Sequence, residues 1–499
     1  MSRKFLSLAL CGVLALPVLA VAAGPLSLDE AIRHALSQNL ELRAAGQQAQ
    51  AADARANAAR GAFLPQVGVR YMVRRSDNPL DAFADKLNTR TVDPASDFSA
   101  QALNYPSTST VHATQLTVEL PLYTGGRLVA SRREAGAFAE AARLGYERRR
   151  QITAYDTLHA YRAAQAAAYG VGIANDAVEA AREHADTTAR LVRQGRIVAS
   201  DRMTAELNLA SAQSLREQAA NRQRLALEEL RLMMGLPADA ALVLPPWENP
   251  ATAMDGGSAG YAGAVIRPTA MDGGSAGREA VSEWGFLPWT NAGAVFPPAS
   301  TAVPATAERE QRALAARKDL KANEALLTAS RTRITAARAA FQPQVGLVAA
   351  DSWYDDNAAL DNKSQSIMGV VSLNLFNGGR DWHGLSAAQR DTEQTELRLE
   401  GARQAARNEV RAAASRLHEA TARRRIAGQS VDKAREAVRL VKQRYGEGRT
   451  ILIDLLLAER VLLEARNEEL AASLGQELSA AQLQLAEGNL TLPGDAAAQ

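Results

Sequence analysis

The chain has a single cysteine, Cys11, and it lies in a short apolar leader. The rest of the chain therefore excludes disulfides and thiolate metal sites. Aromatic residues are scarce at 5%, while alanine is abundant, which favours long, closely packed helices over several compact cores. No apolar run beyond the leader approaches helix-span length, so an inner-membrane helical protein is excluded. Charge is balanced. The net charge is +2, and without Arg3 and Lys4 the 57 basic residues become 55 against 55 acidic ones. No basic field points to nucleic acid. The six histidines, His34, His112, His159, His184, His383 and His418, show no ligand spacing. No glycine pair is followed by Lys-Ser/Thr, and there is neither a nucleophile elbow nor a paired-acid site. The expectation is no enzyme, no cofactor and no metal.

What is present begins with an export signature. Arg3 and Lys4 precede the apolar stretch Phe5 to Val21, and Val21-Ala22-Ala23 makes a small-residue cleavage site. Gly12 and Pro17 interrupt this stretch, which is shorter than the roughly 20 residues of a membrane span. Residues 1–23 read as a signal peptide. Cys11 is not followed by the start of a mature lipoprotein.

An internal repeat governs the rest. The segment Ala59 to Val69 returns as Ala337 to Leu347, with eight of eleven positions identical at an offset of 278. Each copy carries a helix ending at a proline, Pro65 or Pro343, followed by Gln-Val-Gly. The first helical stretch runs from Ser27, with Glu30 in capping-box position, to Phe63.

Four strands are expected, at about 66–74, 114–122, 344–353 and 366–376. Val67, Val69, Tyr71 and Val73 share one face, opposite Arg70 and Arg74. Leu116, Val118, Leu120 and Leu122 oppose Thr117 and Glu119. Val345 and Leu347 begin a third apolar face; Ile367, Val371, Leu373 and Leu375 form a fourth, opposite Ser366, Ser372 and Asn374. Length and alternation suit a tilted membrane strand with lipid outside and water inside. A half-exposed soluble strand alternates in the same way, and the pattern alone leaves both open. Ser76 to Val111 reads as a long polar loop and Asp355 to Gln365 as its short counterpart, so the repeat offset falls to 253.

Two strand-to-helix joints follow, Leu120-Pro-Leu-Tyr-Thr-Gly-Gly-Arg127 and Leu373-Asn-Leu-Phe-Asn-Gly-Gly-Arg380. Gly125, Gly126, Gly378 and Gly379 sit where the hydrophobic period changes from two to 3.6. Helices of nearly seventy residues, roughly 100 Å, are expected from about Gly126 to Gln194 and from Gly379 to about Tyr445. Val431, Ala434, Val438, Val441 and Tyr445 step by three and four, as in a coiled-coil seam. Each long helix ends at a glycine turn, Gly195-Arg196 with Asp201 six residues beyond the glycine, and Gly448-Arg449 with Asp454 in the same place. Returning helices run to about Met234 and about Ala486, making antiparallel hairpins.

Between the repeats, residues 246–307 are rich in Pro, Gly, Ala and Ser, with Thr252 to Gly260 duplicated as Thr269 to Gly277. This reads as a linker lengthened by duplication or as a partner-binding insertion. Trp247, Trp284 and Trp289 suggest that part of it docks on the helices. The runs Arg148-Arg149-Arg150 and Arg423-Arg424-Arg425 fit a solvated helix face or an anionic partner.

The order helix, Pro, strand, loop, strand, Gly-Gly-Arg, long helix, glycine turn, helix, made twice, resembles the TolC-like outer-membrane efflux and secretion channels. Leu26-Ser27-Leu28-Asp29-Glu30-Ala31, Asn39 and Arg317-Lys318-Asp319-Leu320 are also similar to that family. The resemblance covers about Leu26 to Leu244 and Glu308 to Leu492. It implies a fold that is mainly α with a small membrane β-barrel, two repeats per chain, and a homotrimer forming a 12-strand barrel and an α-helical tunnel. It implies that Gly195, Arg196, Gly448 and Arg449 lie at the periplasmic end, where an adaptor (membrane fusion) protein links the channel to an inner-membrane pump or ABC exporter. Asp454 matches an acidic position lining the mouth; it reads either as a pore-narrowing ring or as a helix N-terminal acid opposing the dipole. Tyr445 and Gly448 match the turn pattern, Asp201 is the repeat equivalent of Asp454, and Leu457 stands where well-known members have a second acid.

The expected organisation is a signal peptide at 1–23, a first repeat at 24–245, a linker at 246–307, a second repeat at 308–492 and a tail at 493–499. The expected activity is a passive outer-membrane exit duct, contacting outer-membrane lipid and no nucleic acid. A periplasmic adaptor or a structural coiled-coil protein is the alternative; an adaptor would carry one hairpin rather than two.

Overall fold

The computed structural model describes residues 25–247, 304–356 and 360–493. The expected signal peptide, nearly all of the linker and all but the first residue of the tail lie outside the described residues.

The first repeat contains α1 (Leu28–Gln38), α2 (Leu40–Gly61), β1 (Gln66–Ser76), α3 (Pro79–Asn88), α4 (Ala100–Asn104), β2 (Ser109–Tyr123), α5 (Arg127–Arg193) and α6 (Ala199–Met234). The second contains α7 (Pro304–Ala316), α8 (Lys318–Arg338), a 3-10 turn (Ala339–Phe341), β3 (Gln344–Asp355), β4 (Asn362–Ser372), α9 (Arg380–Gly446) and α10 (Leu452–Glu487). The long helices α5 and α9 are 67 residues each and the returning helices α6 and α10 are 36 each, so the repeat holds in length as well as in motif.

Four expectations are corrected. The stretch from Ser27 to Phe63 is two helices, because Asn39 leaves helical geometry and its side-chain oxygen accepts from Leu42 N at 3.0 Å. A short polar side chain that caps a new helix competes with continuing the old one. The polar loop after β1 is folded: Asn78 caps α3 and Pro79 opens it. Strand β4 ends at Ser372 rather than near 376. Its partner β3 starts at Gln344, directly after Pro343, so no strand among the described residues pairs with Leu373 to Phe376. Arg148 is not on a solvated face, as shown below. In addition, α7 begins at Pro304, inside the stretch read as linker; proline is tolerated in a first helical turn.

Contacts divide the chain into two units. The first comprises residues up to Ala35, Asp156–Ala294 and Ala422–Gly475. Its main apolar cluster joins Ala31 and Ala35 of α1, Ala160, Tyr161 and Ala164 of α5, and Leu230 and Met234 of α6. The Tyr161 hydroxyl donates to Leu26 O at 2.7 Å, which satisfies the one polar atom of this large buried side chain. Trp247 docks here: it is buried, with the Arg162 guanidinium 5.7 Å from its ring centre, while Trp284 and Trp289 lie outside the described residues. Of the expected seam, Val431 and Ala434 are buried and Val438, Val441 and Tyr445 half-buried, so the three-four spacing does mark the inward stripe of α9. Alanines at Ala181, Ala185, Ala205 and Ala212 let the helices approach closely.

The second unit comprises Leu36–Tyr155, Val295–Thr421 and the chain from Gln476. It holds the four-stranded antiparallel sheet, in the order β1-β2-β3-β4, and an apolar cluster of Ala313, Val410, Ala413, Leu483 and Ala486. No helix among the described residues is long and apolar enough to cross a membrane.

Candidate functional site

The sheet has two unlike faces. Directly opposed residues on neighbouring strands share a face. Val67 opposes Val118, Val69 opposes Leu116, Val118 opposes Ala349, and Ala349 opposes Ile367. Leu120 and Leu347 oppose each other, as do Val345 and Val371, on the same side. This face is apolar and uncovered toward the helices, with Val69 71% exposed and Ile367 78%, while its far end carries Arg75, His112, Asp351, Asp355, Lys363 and Gln365. The other face carries Gln66, Arg70, Arg74, Gln115, Thr117, Glu119, Ser352, Ser364 and Ser366. A contiguous bare apolar face of this kind marks an interaction with lipid or protein. The outer edges of β1 and β4 are unpaired among the described residues, and unpaired edges are a hazard unless another strand closes them.

Each sheet strand that leads into a long helix does so through paired left-handed glycines. Gly125 and Gly126 have φ of 61° and 86°, and Gly378 and Gly379 of 70° and 83°. At Gly125 close approach adds to the backbone requirement. A Cβ there would lie 2.5 Å from Gln342 Cβ and 2.8 Å from Ala339 O, in the turn that ends at Pro343. Only glycine meets both demands. A Cβ at Gly378 would meet no atom of the described residues beyond its chain neighbours within 4 Å. Pro65 and Pro343 each stand immediately before a strand, where a missing N–H removes no ladder bond.

The two glycine turns are built alike. Gly195 has φ 70° and donates to Val192 O at 2.9 Å; Arg196 N donates to Leu191 O at 3.0 Å. Gly448 has φ 71° and donates to Tyr445 O at 3.0 Å; Arg449 N donates to Arg444 O at 2.9 Å. Both are Schellman endings, in which a left-handed glycine lets two amides reach back to orphan carbonyls. Asp201 and Asp454 both lie in the first turn of the returning helix, each donating its amide back three residues at 3.2 Å. Their side chains differ. Asp454 is exposed and accepts from the Thr450 hydroxyl at 2.5 Å, whereas the equivalent of Thr450 in the first turn is Ile197. Tyr445 packs half-buried against Ala185, Ala205 and Leu452. The turns thus bring Tyr445 near the start of α10, while Leu457 is exposed.

A buried polar cluster had only a motif-level signal. Arg317, 4% exposed, stands between α7 and α8 and donates to Asp319 at 2.7 Å and to Glu409. Arg148 donates to Leu485 O at 2.8 Å, with its Nε 3.9 Å from Asp319. Burial pushes the Asp319 carboxyl up, but hydrogen bonds from Arg317 and the charges of Arg317 and Arg148 outweigh it and hold the group below its ordinary value. Burial pulls the Arg148 guanidinium down. Arg149 pairs with Glu41, Arg150 with Glu147 at 3.1 Å, and Arg423 with Glu468 at 2.7 Å; Arg423 and Arg425 are exposed, so the second run does lie on a solvated helix face. His184 Nε2 lies 2.7 Å from Glu459, a pairing that no spacing in the sequence announces. Among the described residues no three His, Cys, Asp or Glu side chains gather as metal ligands would.

The pattern of the outer membrane efflux protein family matches residues 31–236 and 310–489, more than half the chain. The chain belongs to that family, and its place is the outer membrane, where it acts as an efflux channel. The fold is shared with solved structures. The CmeC outer membrane channel of Campylobacter jejuni superimposes with a TM-score of 0.68 at 16% identity, over 94% of this chain and 86% of that one. The outer membrane protein VceC of Vibrio cholerae gives 0.67 at 17%, over 92% and 96%. The open state of the MtrE outer membrane channel of Neisseria gonorrhoeae gives 0.66 at 19%, over 93% and 90%. No curated protein sequence matches the chain.

Proposed function

We propose that three copies close a 12-strand barrel through the free edges of β1 and β4, and that the helices continue it as a periplasmic tunnel. The observation that carries this reading is the joining of the two repeats inside one chain. There β2 pairs with β3, Val118 opposite Ala349 and Leu120 opposite Leu347. Shifting β2 by the offset of 253 gives β4, and shifting β3 back by 278 gives β1. The same register then sets Val371 opposite Tyr71 of the partner subunit, and Leu373 opposite Val69 of the partner subunit. All four lie on the apolar side by the alternation of their strands. Leu373 to Phe376, unpaired among the described residues of one chain, would gain a ladder, and the open space at Gly378 would receive the turn before Pro65. The bare face would meet lipid and the polar face water.

The activity is passive conduction, with no enzymatic step. The turns at Gly195-Arg196 and Gly448-Arg449 are the surface for a periplasmic adaptor, and energy comes from an inner-membrane pump or ABC exporter. Asp454, with Tyr445 and Asp201, surrounds the mouth, and three Asp454 carboxylates make a ring that binds cations. Cargo choice lies with the pump, because a lumen of ordinary polar side chains selects little.

The mature chain lacks cysteine, so Val371→Cys with Tyr71→Cys provides a clean test. Oxidation of outer membranes should yield a covalent trimer on denaturing gels. Recovery as a soluble monomer would sink the reading. In planar bilayers, Asp454→Asn should weaken divalent-cation block of single-channel current; unchanged block removes Asp454 from the mouth.

A further inference from the structure

The segment between β1 and β2 folds back over the sheet, and it does so on the polar face. Its anchors show the side. Arg74 and Ser76 project from the same side of β1 as Arg70, and Ser109 opposes Ser76. Arg74 donates to Asp81 at 3.0 Å and pairs with Asp85; Ser76 donates to Asp81 at 3.0 Å, and Ser109 to Asp85 at 2.8 Å. Asp85 is 2% exposed. Beneath α3, Val111, Ala113 and Ser352 are buried, although the rest of the polar face is open. Past α3, the Arg90 guanidinium donates to Lys363 O on β4 at 3.3 Å. The segment therefore crosses from β1 to β4 at one end of the sheet. Lys86 pairs with Asp97, and Phe83 meets Phe98 edge-on at 5.7 Å, which pins the return.

The opposite side of α3 is apolar and bare. Leu80 and Leu87 are seven residues apart, on one face, and are 78% and 55% exposed. Ala82 and Asp85, the buried pair, lie on the other. An apolar stripe on an aqueous loop calls for an occupant.

We propose that α3 is an inward strap forming the outer constriction of the pore, its Leu80–Leu87 stripe meeting the same stripe in the two other copies. This rests on the trimeric closure proposed above: with the polar face turned inward, what lies across the lumen from α3 is the other two α3 helices. A ring of leucines held by an ion-paired clamp narrows the path and resists wetting, so it filters by size and polarity at the outer end. The clamp from Arg74 to Asp81 and Asp85 holds the strap in place.

The test uses full-length Leu87→Cys protein in planar bilayers, where it carries the mature chain's one thiol. Leu87 is exposed, so the substitution leaves the fold intact. A charged, membrane-impermeant methanethiosulfonate should change single-channel conductance by about two-fold or more. In a second variant, Arg74→Ala, the released strap should raise conductance and abolish most of the reagent's effect on a Leu87→Cys background. Complete modification by mass with conductance unchanged overturns the proposal, whatever Arg74→Ala does. Wild-type protein that forms no channel at all would instead refute the barrel on which the proposal stands.

Discussion

The two repeats solve one packing problem with different chemistry. In the first, Ala31 of α1 and Met234 at the end of α6 are both buried in an apolar cluster. Their equivalents, at offsets of 278 and 253, are Arg309 and Glu487, which form an ion pair at 3.1 Å. Ala35, Ala160 and Leu230 keep their character as Ala313, Ala413 and Leu483. Asn39, a neutral helix cap, becomes Arg317 in a buried ion cluster, and Asp156 becomes its partner Glu409. The backbone frame survives duplication because alanines and a leucine hold the helix spacing. The polar layer around it was free to diverge, so at the Ala31 and Met234 positions the first repeat is apolar and the second ionic.

The strongest way to break this comparison is to remove the shared leucines. Leu230→Ala should lose about 2–5 kcal/mol, since a fully buried leucine leaves a cavity in a cluster bounded by Tyr161 and Met234. Leu483→Ala should lose less within the same range, because its neighbours are small alanines and a valine, with less packing to forfeit. Denaturant midpoints of the purified protein check the order. A reversed order would mean that the ionic repeat is the better packed.

That frame was legible in the sequence because its signals are periodic and repeated. The ends of α5, α6, α9 and α10 and both glycine turns follow from helix formers bounded by glycine. Whether the strands face lipid was not, since alternation reads the same against water; the bare apolar face and open edges support the lipid-facing barrel proposed above. Asn39 hid its break because one polar residue in a helical run is unremarkable, and Arg148 looked solvated because a run of arginines does not say which one turns inward. The strap was missed although Asn78-Pro79 is a helix start: an Asp- and Ser-rich stretch reads as loop, and its clamp residues are spread from Arg74 to Ser109.

The ion pair offers the next test. Arg309→Ala alone should cost about 1–3 kcal/mol, less than a fully buried pair because Arg309 is a third exposed while Glu487 is left buried. Adding Glu487→Met recreates the Ala31 and Met234 arrangement and should return stability to within about 1 kcal/mol of the parent. If the double variant stays as weak as the single, the two repeats are not interchangeable frames.

Acid separates the repeats more gently. The carboxyl of Asp319 titrates below its ordinary value, so its contribution is fully present above about pH 4 and fades as pH falls through the lowered folded value. The apolar cluster of the first repeat contains no carboxylate, and the exposed Ser27–Glu30 contact beside it adds little. As pH falls below about 4, hydrogen exchange around Arg317 to Leu320 should accelerate before that of Ala31 to Ala35. Simultaneous loss would show that the cluster is not the acid-sensitive element.

The smallest effect lies at the turns, where the backbones agree most closely. Thr450 donates to Asp454 at 2.5 Å, and Ile197 leaves Asp201 without that donor. Asp454 is exposed and Asp201 half-buried, so the bond replaces water rather than a buried vacancy, and it contributes only about a few tenths of a kcal/mol. Thr450→Ile should lower the melting midpoint slightly, and Ile197→Thr should raise it by a similar amount, since Gly195 and Gly448 set the same geometry for both aspartates. Equal and opposite shifts would show that the turns are one frame carrying exchangeable side chains. A large loss from Ile197→Thr would show instead that Ile197 packs where Thr450 does not, and that the likeness of the two turns stops at the backbone.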